Sequence, residues 1–205
     1  MGATQEFTSG YGRVLTVAAG AIGLVAVLSV VLEDGAAQAL RALPLAALVA
    51  VVVWALFWRP GVEVSDGEVV VRNVLSTVRV PWPTYRDVEY GWSLVLRTTD
   101  GDVTVFAAPR ASGTARRLRR GATEDGHGAE VPAPGPTVRS LQATAQSVGA
   151  AVEARHDALV RAGHLDGAQH VRVEQGLRPA RRVHAATIGA VVLLTALSVA
   201  VLATT

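Results

Sequence analysis

Four arginines within five residues form the densest group of charged side chains in the chain. They are Arg116, Arg117, Arg119 and Arg120, and no aromatic residue lies between them. Clustered guanidinium groups bind phosphate, in nucleic acids or in anionic lipid headgroups. Nucleic-acid binding is disfavoured because aromatic interleaving is missing and the formal net charge is only +2. We therefore predict no nucleic-acid partner, and the cluster is a candidate contact for anionic lipid or a solvated charge run.

The other reactive side chains form no catalytic or metal-binding motif. The chain has no cysteine, which excludes thiolate nucleophiles, disulfides and cysteine-ligated metals. His164 and His170 are six residues apart with Gly167 between them, which is the wrong spacing for two ligands on one helical face. Together with His156 they are predicted to be surface residues. No Ser/His/Asp arrangement, phosphate-binding loop or HExxH motif is present. We predict no enzymatic activity, no cofactor and no metal site.

Three apolar segments could hold such a chain in a membrane. Residues 14–32, 42–58 and 185–203 carry no charge, and the first would measure about 28 Å as a helix, enough to cross the hydrocarbon core. An alternative for the first segment is a cleaved signal peptide, since Ala37-Gln38-Ala39 has the small-x-small pattern of a cleavage site. The length of the segment and Glu6 before it favour a membrane span.

The first two segments are predicted to form a helical hairpin. A loop at 33–41 joins them, and Pro44 falls in the first turn of the second segment, where its missing N–H costs little. Ala19, Gly20 and Gly23 are small enough to let the helices approach closely. We also expect no charge or proline in the middle of any span, which disfavours a transport pathway.

Tryptophans and arginines flank the spans in the pattern of a membrane–water interface. The predicted interface anchors are Trp54, Trp58, Arg59, Arg178, Arg181 and Arg182. Arginines precede the first span, follow the second and precede the third, whereas the intervening loop has one arginine beside two acids. Because arginine is enriched on the cytoplasmic side, we predict a multi-pass protein of the cell (inner or plasma) membrane. Its N-terminus and residues 59–184 would be cytoplasmic and its C-terminus outside.

Short runs of alternating apolar residues between the second and third spans predict a small antiparallel sheet. Asp66-Gly67 and Asp100-Gly101 are typical hairpin turns, and the first is predicted to be type I′, which needs positive φ at both central residues. About five strands are expected, enough for one small core. The predicted strands lie at 62–64, 68–72, 78–80, 94–97 and 102–106.

The sequence of this region resembles the PH-like domain of small actinobacterial membrane proteins. The resemblance is carried by Trp58-Arg59-Pro60-x-Val62-x-Val64, Val69-x-Val71-x-Asn73, Val78-x-Val80-Pro81-Trp82, Gly91-Trp92-Ser93-Leu94 and Phe106-Ala107-Ala108-Pro109. It implies a bent antiparallel sheet closed by a helix, and no established enzymatic activity. Specific phosphoinositide binding would need converging basic residues on the first hairpin, where this chain has Glu63, Asp66 and Glu68.

The region that follows changes composition twice. Residues 112–136 are rich first in arginine and then in Gly, Pro and acids, which predicts a flexible linker. A helix is predicted at 137–163, capped by Thr137 and ended by Gly163. Its apolar stripe would pack on the sheet or on a partner helix, and consists of Leu141, Val148, Val152 and Leu159.

Together these patterns predict an α+β membrane protein with three transmembrane helices, a small antiparallel β PH-like cytoplasmic domain and an additional soluble helix. The predicted domains are a transmembrane hairpin (1–60), a PH-like domain (61–111), a linker (112–136), a soluble helical segment (137–183) and a third transmembrane helix (184–205). The predicted function is a non-enzymatic scaffold that binds a protein partner at the bilayer, as a monomer or a homo-oligomer. The alternatives are an anionic-lipid sensor and an accessory subunit of a transporter or channel.

Overall fold

The computed structural model describes residues 3–109, 139–142 and 144–204. The predicted linker and its four clustered arginines lie outside these residues. The chain divides into two compact units. The sheet unit comprises Met1–Thr8, Gly61–Arg72 and Val78–Arg181, and the span unit comprises Ser9–Pro60, Asn73–Thr77 and Arg182–Thr205.

Nine strands are found in the described part of the chain. They are β1 (Gln5–Thr8), β2 (Gly61–Val64), β3 (Glu68–Arg72), β4 (Ser76–Pro81), β5 (Tyr85–Tyr90), β6 (Ser93–Thr98), β7 (Gly101–Pro109), β8 (Arg139–Gln142) and β9 (Ala180–Val183). One sheet has the order β8-β1-β2-β3-β4-β9 and the other β5-β6-β7. The described strand pairs are antiparallel for β1/β2, β2/β3, β5/β6 and β6/β7, whereas β1 and β8 run parallel.

The helices are α1 (Gly10–Asp34), α2 (Ala36–Val53), α3 (Ala145–Arg161), α4 (Ala168–Gln175) and α5 (Ala185–Ala203). A π-helical turn (Trp54–Trp58) extends α2, and a 3-10 turn (Trp82–Thr84) joins β4 to β5. The expected mixture of helices and antiparallel sheet is confirmed, with three apolar helices long enough to cross a membrane.

Strand β1 lies in the same sheet as β2 although two predicted spans separate them in sequence. Phe7 is opposite Val62 in the antiparallel register, and both side chains are about 1% exposed. On the other face, Arg72 of β3 bridges Glu6 at 3.0 Å and Glu63 at 2.7 Å. The sheet unit thus draws on parts of the chain that the predicted domain boundaries at 60 and 111 separate.

One hydrophobic core lies between the two sheets and α3. Alternating residues of the strands enter it, because successive side chains on a strand point to opposite faces. The fully buried members include Val64, Val71, Val80, Leu94, Leu96 and Val105. Helix α3 packs against β2, β5, β6 and β7 and contributes Val148, Val152 and Leu159 to the core. Of the two predicted packing partners for this stripe, the sheet is the one observed.

Helix α3 starts later than predicted. Residues 139–142 form β8 and the helix begins at Ala145; the predicted cap Thr137 lies outside the described residues. Thr144 and Ser147 form a capping box in which each side chain accepts from the other's backbone N–H. Gly163 ends the helix as predicted, with φ of 73°. Its N–H donates to Val160 O while that of His164 donates to Leu159 O, the paired bonds of a Schellman motif.

The first hairpin turn is present, but it is not type I′. Asp66 and Gly67 both have negative φ, so the predicted backbone conformation is wrong. The turn is closed instead by Ser65, whose N–H and hydroxyl both donate to Glu68 O, at 3.1 and 2.8 Å. A serine side chain can complete a turn in this way without positive φ.

In the span unit, the three helices that can cross a membrane are Gly12–Asp34, Ala36–Trp58 and Ala185–Ala203, and α2 packs against α1 and α5. The predicted loop 33–41 shortens to Gly35, whose φ is 83°. Pro44 lies inside α2 and not in its first turn. The predictions that it falls in the first turn and that no proline lies in the middle of a span are therefore wrong. The helix continues past Pro44 with one backbone donor missing.

The close approach between α1 and α2 occurs at Gly12. A Cβ at this position would overlap the carbonyl oxygen of Phe57, whereas at Gly20 and Gly23 it would meet nothing within 4 Å. Small size is therefore needed at Gly12 and not at the predicted positions Gly20 and Gly23.

Candidate functional site

Three predicted interface anchors meet at the π-helical end of the second span. The Arg59 guanidinium lies 5.4 Å from the centre of the Trp54 ring, and its Nη1 donates to Thr187 Oγ1 at 2.6 Å. Arg13, at the start of α1, lies 5.7 Å from the Trp58 ring. These contacts hold cations against aromatic faces, so the structure brings Trp54, Trp58 and Arg59 together and adds Arg13.

The other predicted anchors do not join this cluster. Arg178 precedes β9, and Arg181 and Arg182 lie within it; all three are exposed. The candidate lipid contacts Arg116, Arg117, Arg119 and Arg120 lie outside the described residues. His184, which caps α5, is the polar contact next to β9: its Nε2 is 2.9 Å from Thr77 Oγ1, and its backbone N–H donates to Leu75 O.

A groove between β5 and α3 is the feature of the sheet unit that the sequence did not predict. It has a volume of about 350 Å³ and is lined by Tyr85, Arg86, Asp87, Val88, Glu153, His156 and Asp157. Among the described strands β5 pairs only with β6, so it is an edge strand of its sheet within the described residues. Such an edge is a template for an additional strand.

The groove carries more negative than positive charge. Asp87, Glu153 and Asp157 contribute three carboxylates, against the single guanidinium of Arg86. The His156 ring packs 5.0 Å from Tyr85 and 6.0 Å from Trp82, so this predicted surface histidine is half-buried. His164 and His170 are exposed, as predicted.

Burial and this charge together raise the pKa values of the tyrosines at the two ends of β5. Burial, followed by the carboxylates of Glu153 and Asp87, raises the pKa of Tyr85 above its usual range. Burial and Glu153 also raise the pKa of Tyr90, whose hydroxyl donates to Glu153 Oε2 at 3.4 Å. Gly149 gives the Tyr90 ring room beside α3, because a Cβ there would overlap the ring.

An exposed tryptophan lies just beyond β5. Trp92 is in the turn between β5 and β6 and is 94% exposed. Phe106, on the neighbouring β7, is 64% exposed and falls within the bulge opposite the Ser93–Leu94 step. Large exposed aromatic side chains are enriched in protein interfaces.

A larger cavity of about 680 Å³ lies between the β2–β3 turn and α3. Arg155 crosses it, forming an ion pair with Asp66 and donating to Ala3 O at 2.6 Å. The charges of this cavity thus serve contacts between elements of the sheet unit. Among the described residues no three His, Asp or Glu side chains are grouped so that they could hold a metal ion.

The sequence pattern of β5 did not reveal the groove, because the spacing of its buried residues departs from that of a regular strand. A bulge separates Tyr85 from Asp87, so the buried Tyr85 and the half-buried Val88 fall out of the two-residue period that identifies strands. The helix that forms the opposite wall begins at Ala145, far along the chain. Comparison of the chain with protein-family models, with curated proteins and with solved structures gave no match.

Proposed function

We propose that this chain is a membrane-anchored PH-like scaffold that binds an extended, basic segment of a partner protein in the groove between β5 and α3. The observation that carries the proposal is that β5, the edge strand of its sheet among the described strands, lies beside three carboxylates. An added strand would gain main-chain hydrogen bonds from the edge, and its Lys or Arg side chains would reach the acidic wall.

The strand arrangement supports the PH-like part of this proposal. Strands β1–β4 lie in one sheet and β5–β7 in the other, with α3 packed against strands of both. This is consistent with the bent sheet closed by a helix that the sequence resemblance implies. The resemblance supplies the architecture only, and the binding function rests on the groove.

The aromatic residues near β5 suit a protein partner. Trp92 offers a large, rigid surface at one end of the edge strand, and residues of this type supply much of the binding energy at interfaces. Tyr90 connects the Trp92 end of β5 to the acidic wall of α3, because its hydroxyl donates to Glu153. A partner segment could therefore combine an apolar anchor with basic residues.

Membrane anchoring would compensate for the weak binding expected of one short strand. The connections from strands to spans are short: Ser9 between β1 and α1, Arg59–Pro60 between the π-helical turn and β2, and His184 between β9 and α5. A bound partner would be confined to the bilayer surface and concentrated there. The arginine distribution places the sheet unit on the cytoplasmic side in this proposal.

The test is binding of designed peptides to the full chain in nanodiscs. The probe is a fluorescent peptide of about eight residues alternating Arg and Val, long enough to cover β5, and the control alternates Glu and Val. We expect anisotropy to show saturable binding of the basic peptide only. A third peptide, N-methylated at every residue, has no N–H donors left on either edge but keeps its charge; equal binding of this peptide would contradict strand addition.

Charge variants locate the binding site. Replacing Glu153→Gln and Asp157→Asn should weaken binding about tenfold, as expected for two surface charge interactions. The matched control is Asp166→Asn with Glu174→Gln, the same charge change on exposed residues away from the groove. Equal loss in both double variants would show attraction to net charge, and the assignment of the groove would then be wrong.

A further inference from the structure

A second groove runs along the first turns of α1 in the span unit. It has a volume of about 400 Å³, and its walls are Arg13, Val14, Val17, Ala18, Ala21 and Trp58. The four aliphatic residues recur at the spacing of one helical face. From Arg13 to Ala21 the groove is about 12 Å long at 1.5 Å per residue.

The medium around this groove is set by the helix that carries it. Gly12–Asp34 is apolar and long enough to cross a membrane, and Val14 and Val17 are 67% and 64% exposed. An apolar depression on such a surface is filled by hydrocarbon, because water there could make no hydrogen bonds to the walls. The alanines provide the depression, and Trp58 forms its side wall.

Arg13 supplies charge at one end of the groove. Its guanidinium contacts the Trp58 ring, and within the described residues no carboxylate lies within ion-pair distance of it. Arginine binds phosphate through paired N–H donors, and tryptophan favours the level of the headgroups. A cation at the mouth of a hydrocarbon groove is complementary to an anionic amphiphile.

We propose that this groove binds one acyl chain of an anionic phospholipid of the bilayer, with the lipid phosphate held by Arg13. None of the residues of this site lines the β5 groove, so the proposal does not depend on the scaffold function. The apolar lining requires a chain-bearing lipid, which distinguishes this ligand from a soluble phosphate.

The experiment is native mass spectrometry of the full chain released from nanodiscs that contain equal amounts of phosphatidylglycerol and phosphatidylcholine. We expect preferential retention of one phosphatidylglycerol. Arg13→Gln should reduce this preference about fivefold, as for one arginine at a membrane surface, while Arg41→Gln, at the other end of the hairpin, should not. Equal retention of both lipids by the unmodified chain would overturn the proposal.

Filling the groove tests the acyl-chain contact. Ala18→Leu should reduce retention of both lipids, whereas Ala26→Leu, exposed on α1 outside the groove, should change neither. Competition with chain-free glycerophosphoglycerol should have no effect. If this soluble headgroup displaces the lipid, the ligand is an anion alone; if the groove variant instead abolishes a dimer, the occupant is a second copy. Either result would reject the lipid site.

Discussion

The two units place the same residue types in opposite environments. In the sheet unit Val71 and Leu96 are fully buried, whereas in the span unit Leu24 and Leu193 are 62% and 60% exposed. Alternation with polar residues directs the first pair into a protein core, while the second pair lies in uninterrupted apolar helices long enough to cross a membrane. The exposure of an apolar side chain thus reports its solvent and not a failure of packing.

This difference predicts a large contrast between two leucine truncations. Leu96→Ala should leave a cavity among β6 and its neighbours and cost the sheet unit about 2–5 kcal/mol of unfolding free energy. Leu24→Ala should cost the sheet unit nothing, because its side chain lies outside the core of that unit. Hydrogen exchange of the β2 and β6 amides, in nanodiscs, measures both. Comparable protection losses in the two variants would mean that the core does not lie where the burial places it.

The spans and the valine-rich strands were predictable because each rests on a local pattern. Nineteen uncharged residues in α5 and the alternation in β2 need no knowledge of distant contacts. The unexpected elements depend on partners far along the chain. Strand β1 has only Phe7 as a buried residue and is stabilised by pairing with β2 and β8, so its four residues carry no sufficient local signal.

The candidate sites were less predictable than the fold for a related reason. The β5 groove needs a charged, bulged strand and a helix more than fifty residues later. The lipid groove needs the ring of Trp58 beside Arg13 at the far end of the hairpin. Trp54 and Trp58 were predicted as interface anchors from composition alone, whereas their contacts with Arg59 and Arg13 required the positions of α1 and the π-helical turn.

Within the span unit, glycine substitutions should separate close contact from open surface. Gly12→Ala would place a methyl group against the Phe57 carbonyl and should destabilise the hairpin by about 1–3 kcal/mol, as for overpacking. Gly20→Ala, where a Cβ meets nothing within 4 Å, should be neutral or slightly stabilising. Unfolding of the full chain in mixed micelles measures both. A greater loss in Gly20→Ala would restore the helix contact predicted from sequence.

The smallest expected effect concerns the alkaline stability of the sheet unit. The folded-state pKa of Tyr85 is raised by burial and then by Glu153 and Asp87. Above about pH 10 the unfolded tyrosine loses its proton while the folded one keeps it, so unfolding free energy should fall as pH rises past this value. Denaturant midpoints of the β6 exchange signal, taken from about pH 8 to 11, measure the fall.

Replacing the two tyrosines in turn identifies the residue responsible. Tyr85→Phe should remove most of the alkaline fall, because the phenol is nearly buried at 8% exposure. Tyr90→Phe should remove less, since Tyr90 is 44% exposed and water stabilises its ionised form. If Tyr90→Phe has the larger effect, the contact between Tyr90 and Glu153, rather than burial of Tyr85, is the main cause of the alkaline fall. The carboxylates of α3 would then raise the pKa more strongly at Tyr90, the exposed end of β5, where a basic partner segment would first make contact.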